Sequence, residues 1–187
     1  MSNSPMRRKP ASAKSSWRPK ASVIFSSPVH LLAFGFGAGL APVAPGTFGT
    51  LVAVPIWLLM AGLSLPVYLV LTALLGLVGC WICGASARRL GVHDYGGIVF
   101  DEIVGFLVTT APLLPAVELY PINRYLGLAF AFGLFRLFDI WKPWPIGTLD
   151  QRVHGGVGIM LDDVVAGIYA ALLLLLGLGL AGESDLW

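Results

Sequence analysis

The sequence predicts an all-α fold: a polytopic helical membrane bundle with about four to five transmembrane helices and a Gly/Pro-rich N-terminal segment that is re-entrant or interfacial. Three observations predict it. Of the 187 residues, 57% are hydrophobic and 12% charged, with a mean hydropathy of +0.82, a balance far from that of soluble domains. Apolar runs recur near the length of about 20 residues that crosses a hydrocarbon core. When those runs alternate in direction, the basic residues fall almost entirely on one side. The length suits one compact domain and leaves no room for a second.

Residues 1–28 read as a disordered basic arm. Arg7, Arg8, Lys9, Lys14, Arg18 and Lys20 lie there in a Pro/Ser-rich setting, a composition that cannot bury enough apolar surface to order itself. No groove of basic and aromatic residues follows that would bind nucleic acid, so the arm is expected to lie near anionic lipid. It is not a cleavable signal peptide, because no apolar stretch with a small-residue cleavage site follows closely.

The next segment, HLLAFGFGAGLAPVAPGTFGT, is too rich in Gly and Pro for a regular lipid-exposed helix and reads as a loop or a broken helix. Apolar runs then cover residues 48–63, 66–86, 98–115, 125–141 and 164–181, the first of marginal spanning length. Pro66, Pro121 and Pro143 mark boundaries by disfavouring helix at the residue before each. With the N-terminus inside, Arg88, Arg89, Arg136, Lys142 and Arg152 join the arm on the inner face, and Arg124 alone is outside. Cys80 and Cys83 form a CxxC in an apolar run without the polar setting of a redox or zinc site, and read as small packing residues.

The same topology gathers the ionisable groups at the inner face. Asp101 and Glu102 stand in GGIVFDEIVGFLVTT, where two adjacent carboxylates need a cation or an aqueous cavity, unless they merely lie solvated among headgroups. Arg136 and Asp139 are three apart on one helix face, which suits an intrahelical ion pair. It suits equally a metal-binding Asp139 beside an Arg136 or Lys142 that meets phosphate. Asp162 and Asp163 precede the last apolar run, where one of them could simply cap a helix. Together with Asp150 they exceed what a cap requires, and acids from three helices make an oxygen-rich site suited to Mg²⁺. His154 and His93 are candidate proton donors or ligands, although a histidine in a Gly-rich loop more often makes a structural hydrogen bond. Gly46, Thr47 and Thr50 could present backbone N–H groups and hydroxyls to an anion, or the glycines could serve close helix packing.

Several routes lack their motifs. The Cys-x5-Arg spacing occurs at Cys83 and Arg89, but it starts inside an apolar run that reads as helix and makes no phosphate loop. There is no Asp-x-Asp-x-Thr/Val after a strand and no GxxxxGK[ST], which leaves metal-assisted attack by water as the simple choice.

Three strings taken together, GFGAGLAPVAPGTFGT, GVHDYGGIVFDEIVG, and FRLFDIWKPWPI continuing through DQRVHGGVGIMLDDVVAG, resemble the phosphatidylglycerophosphatase A family in order and spacing. The resemblance spans residues 29–180 and implies a membrane-embedded lipid phosphatase domain over 29–182, with a short tail at 183–187. It further implies Mg²⁺ dependence and a bacterial inner-membrane location with the site facing the cytoplasm. The implied reaction releases inorganic phosphate from phosphatidylglycerol phosphate. The acids that match are Asp101, Glu102, Asp139, Asp150, Asp162 and Asp163, with Arg136, Lys142 and His154 beside them. On this expectation Asp101, Glu102, Asp139, Asp162 and Asp163 hold metal, Gly46, Thr47, Thr50, Arg136 and Lys142 bind phosphate, and Asp150 and His154 assist the chemistry.

A cation or proton transporter is the main rival, but it would place acids along a crossing route rather than at one face. A lipid-binding scaffold would recognise headgroups without turnover. Another lipid-linked phosphate is an alternative substrate, whereas the DG-x2-AR pattern of a phosphatidyltransferase is missing. Nothing in the sequence sets the oligomeric state.

Overall fold

The computed structural model describes residues 18–92, 95–115 and 124–183. Arg7, Arg8, Lys9 and Lys14 of the expected arm, His93, Pro121 and the tail beyond residue 183 lie outside them.

Among the described residues every regular element is helical and no strand occurs. Two short helices, α1 (Ala21–Phe25) and α2 (Pro28–Ala33), lead into a 3₁₀ turn at Gly35–Leu40. Then come α3 (Pro45–Met60), α4 (Leu65–Leu90), α5 (Phe100–Thr110), α6 (Arg124–Trp141), α7 (Ile146–Arg152) and α8 (Gly155–Glu183). The helical region thus begins before residue 29, where the arm was expected to end, and Ile24 of α1 is buried.

The Gly/Pro-rich segment is a broken helix, because Phe36 (φ 57°) and Gly37 (φ 100°) take left-handed backbone conformations inside the 3₁₀ turn. Pro45 occupies the first turn of α3 and a proline likewise opens α4, where the missing N–H costs nothing. Gly91 (φ 69°) closes α4 by donating its N–H to Ala87 and Arg88 carbonyls, the usual left-handed helix stop. The His30 ring Nδ1 lies 2.8 Å from the Ser86 hydroxyl, both buried, and ties α2 to the end of α4.

At the centre stands α5, buried along nearly its whole length and packed against α3, α4, α6 and α8. Its 11 residues extend about 16 Å at 1.5 Å per residue, roughly half a hydrocarbon core. A run that is apolar all round reads the same whether lipid or protein surrounds it, and here protein does. Phe106 meets Phe132 and Phe135 of α6 edge-on at 6.1 and 6.3 Å. The buried Tyr68 hydroxyl of α4 donates to the Leu107 carbonyl at 2.7 Å.

The contact with α8 is closest. A Cβ on Gly167 would overlap the Gly105 carbonyl, and one on Gly105 would stand 2.7 Å from the Asp163 carbonyl and 2.6 Å from the Phe135 ring. Small residues let two backbones approach in this way. At the other side of α8, Gly156 rests on the Cys80 carbonyl and the Gly84 amide of α4, so the end of α4 and the start of α8 share one end of the bundle with the start of α5.

Two helices, Leu65–Leu90 and the Gly155–Leu180 stretch of α8, are long and apolar enough to cross a membrane, each with a mean hydropathy of 2.2. Only 22% and 28% of their apolar windows are buried within the chain, so their remaining faces, including Leu77, Trp81, Leu172 and Leu176, point outward.

One expectation is corrected in its detail. The last helix starts at Gly155 and not near residue 164, so Asp162 and Asp163 lie inside it and cap nothing. The HGGVG sequence reads as a loop because glycine costs about 1 kcal/mol in a helix. Here Gly156 serves the close approach to α4, Gly155 opens the helix with a left-handed φ of 76°, and Gly158 leaves room for the Val153 carbonyl.

Candidate active site

The first turn of α5 carries Asp101 and Glu102, one turn before the Gly105 contact with α8. That contact brings the two acids beside Asp163, and one carboxylate oxygen from each of Asp101, Glu102 and Asp163 lies within 4.8 Å of the other two. Asp101 and Asp163 are 9% and 3% exposed. Among the described residues neither has an ion-pair partner, and Glu102 has only the distant Arg136 at 3.9 Å. The backbone N–H of Glu102 donates to Asp101 Oδ1 at 3.1 Å, while Glu102 Oε2 is buried with no partner. Three close carboxylates repel one another strongly at low dielectric, and a shared cation relieves that repulsion.

The other three acids are compensated. On α6, Arg136 Nη1 lies 2.5 Å from Asp139 Oδ2, close enough for an ion pair although no aimed hydrogen bond forms at that nitrogen. Lys142 follows α6 in a left-handed conformation (φ 46°). Its Nζ donates to Asp150 Oδ1 at 2.9 Å and to Asp162 Oδ2 at 2.6 Å, joining α7 to α8. Burial opposes the Lys142 charge, yet the hydrogen bonds and charges of Asp162 and Asp150 together hold its ammonium above the usual lysine range. Asp162 Oδ1 remains buried without a partner.

All six acids, Lys142 and His154 line one cavity of about 260 Å³. Arg136 does not line it and stands behind Glu102 and Asp139. The phosphate-binding candidates of α3 are also off the cavity wall. Thr50 donates its buried hydroxyl to the Gly46 carbonyl at 2.9 Å, and the Thr47 amide donates to the Ala44 carbonyl at 3.0 Å. Gly46 instead backs onto the Glu102 carboxylate and the Arg136 guanidinium.

The donor set is entirely oxygen, which suits a hard cation such as Mg²⁺, Mn²⁺ or Ca²⁺ better than a soft one. The orphaned Glu102 oxygen fits such an ion. The helix crossing at Gly105 and Gly167 is not legible in the sequence. Their spacing to the acids was visible, but which helices they join was not.

The fold and site together define an all-helical protein with a close cluster of carboxylates of the kind that holds a metal ion, beside a half-buried lysine ion-paired with two further acids, at one end of an apolar bundle. The family model described as phosphatidylglycerophosphatase A matches residues 31–178. The chain is 45% identical over 152 residues to phosphatidylglycerophosphatase A of Escherichia coli (strain K12), covering 81% of this chain and 84% of that protein. It is 41% identical over 155 residues to phosphatidylglycerophosphatase A of Haemophilus influenzae, covering 82% and 91%. A Bacteroides thetaiotaomicron protein with the provisional name phosphatidylinositol-3-phosphatase is 38% identical over 152 residues, covering 77% and 89%. No solved structure matches. The chain belongs to the phosphatidylglycerophosphatase A family, a family of phosphatase enzymes.

Proposed function

We propose that the chain removes the terminal phosphate of phosphatidylglycerol phosphate at the cytoplasmic face of a bacterial inner membrane, with Mg²⁺ held by Asp101, Glu102 and Asp163. The observation that carries this reading is the trio of close carboxylates, two of them, Asp101 and Asp163, without an ion-pair partner among the described residues, in the wall of a cavity that Lys142 also lines. The relatives' names supply the substrate class.

Bound there, the ion would neutralise charge on the phosphate and acidify an attacking water. Lys142 meets the phosphate oxygens as a point charge. Asp150 and Asp162 hold its ammonium at the cavity wall, and Arg136 keeps Glu102 and Asp139 in place from behind. His154 protonates the glycerol oxygen as its bond to phosphorus breaks, while the water oxygen forms the new bond, giving inorganic phosphate and the lipid alcohol. On this reading Asp139 and Asp162 serve the basic groups, and the metal set is narrower than the sequence implied.

A bilayer setting is supported by the exposed apolar faces of α4 and α8, since contiguous exposed apolar surface marks a membrane or partner contact. In that setting α3 and α6, which both pack on α5 as α4 and α8 do, complete four spans around it. Arg88, Arg89, Arg136, Lys142 and Arg152 then lie on the cytoplasmic side with the acids, as the positive-inside bias requires. The acyl chains stay in hydrocarbon while the headgroup enters the cavity.

A second reading, hydrolysis of a phosphate monoester on another lipid headgroup, is favoured by the Bacteroides relative's name. The test is phosphate release by purified protein from a panel of lipid phosphates, with and without Mg²⁺. Release from phosphatidylglycerol phosphate ahead of phosphatidylinositol 3-phosphate is expected. No release from any of them, with cation present, would overturn the hydrolase reading.

A further inference from the structure

Gly46 is the second residue of α3, a helix of 16 residues whose N-cap, Ala44, is left-handed. A Cβ built on it would collide with Glu102 Oε1 and stand 3.0 Å from Arg136 Nη1. Among the described glycines it alone has a carboxylate at that point; the missing side chains of Gly49 and Gly105 face Val99 and the Phe135–Asp163 wall respectively. The start of a helix carries partial positive charge, so the bare Cα admits the Glu102 carboxylate to a spot where α3 and Arg136 both favour its anion. The other oxygen, Oε2, is left buried and partnerless, and the Glu102 carboxylate offers an oxygen within 4.8 Å of one from each of Asp101 and Asp163.

We propose that Gly46 is a positioning residue: the space left by its absent side chain lets Glu102 rest one carboxylate oxygen against α3 and Arg136 and turn the other to a cation shared with Asp101 and Asp163. This rests on the trio being the cation site. Gly46 then contributes through what it lacks, and its backbone N–H need not touch substrate. The carboxylate seated on it already fills the approach that a phosphate would need.

The experiment compares Mg²⁺ and Mn²⁺ binding by calorimetry in detergent-solubilised full-length protein for the natural chain, Gly46→Ala, Glu102→Asp and the double variant. Gly46→Ala is expected to lose about 10- to 100-fold in affinity, the range for loss of a group supporting a metal ligand. Glu102→Asp also weakens binding in the natural background, but in the double variant the shorter acid relieves the collision, so the double variant binds more tightly than Gly46→Ala alone. Such non-additivity marks a direct coupling between the two positions. Unchanged affinity in Gly46→Ala overturns the proposal, as does a Glu102→Asp penalty that is the same in both backgrounds. If Gly46→Ala does not accumulate as folded protein, the double variant is expected to, and its failure counts against the proposal. A natural chain that binds neither cation removes the trio reading itself, an outcome distinct from the others.

Discussion

The Asp163 carbonyl lies 2.7 Å from the point where a Cβ of Gly105 would stand. Glycine at position 105 therefore sets the distance between the helix that carries Asp101 and Glu102 and the helix that carries Asp163. Gly105→Ala must push the two apart or move the Phe135 ring, and overpacking of this kind costs about 1–3 kcal/mol. We expect a lower melting temperature together with weaker cation binding. Gly133→Ala on α6 is the control, since nothing lies within 4 Å of its missing Cβ. Alanine there should stabilise slightly, by up to about 1 kcal/mol. Thermal unfolding and calorimetry on both variants decide it, and equal behaviour of the two would dissociate the helix spacing from the site.

The charge pairing separates the acids into two groups with different expected phenotypes. Asp101→Asn and Asp163→Asn remove oxygens that have no basic partner, and both are expected to lose cation binding and more than about 100-fold in activity, beyond the cost of losing a supporting group. Asp139 is held by Arg136, so Asp139→Asn should keep measurable cation affinity while activity falls about 10- to 100-fold. Cation titrations monitored by intrinsic fluorescence distinguish the cases. Loss of binding in Asp139→Asn would return that residue to the metal set.

Much of this arrangement could be read from residues in order, and the rest depends on distant partners. The apolar runs at 66–86 and 125–141 became α4 and α6 with small changes at the ends, because each is long, apolar and closed by a turn signal. The short helix α7 and the early start of α8 were missed, since Pro, Gly and polar residues there weaken the local signal that tertiary contacts override. Gathering of the acids at one end followed from alternating spans. The partner of Lys142 did not, because Asp162 is 20 residues away and reaches it only through the fold of α7 back onto α8. Gly46, Thr47 and Thr50 attracted a phosphate-binding reading through their composition, whereas the packing turns Gly46 toward Glu102.

Lys142 allows a prediction about pH. Its ammonium is held above the usual 10.5 by Asp162 and Asp150, against the opposing effect of burial. A folded-state value raised above the unfolded one stabilises fully below the unfolded value and is lost as pH rises through the folded value. The destabilisation caused by Lys142→Met should therefore stay constant from neutral pH to about pH 10 and shrink only at higher pH. Melting temperatures of both proteins measured across that range test it. A difference that vanishes by pH 8 would show that the ion pairs do not govern the stability of this end of the bundle.

Cation removal should expose a conflict between stability and activity. Without an ion, the carboxyl groups of Asp101, Glu102 and Asp163 crowd within 4.8 Å in a buried place where ionising all three is costly, and chelation is expected to lower the melting temperature as well as abolish activity. Adding Mg²⁺ should restore both, with stabilisation approaching about 2.7 kcal/mol at 100 times the dissociation constant. Asp163→Asn keeps the side-chain shape and deletes one of the repelling charges. In chelator it should melt above the natural chain, yet stay inactive and fail to gain stability when Mg²⁺ is added. If the variant instead melts lower in chelator, the three acids do not repel one another in the ion-free state; if it also gains stability from Mg²⁺ as the natural chain does, Asp163 is not a ligand.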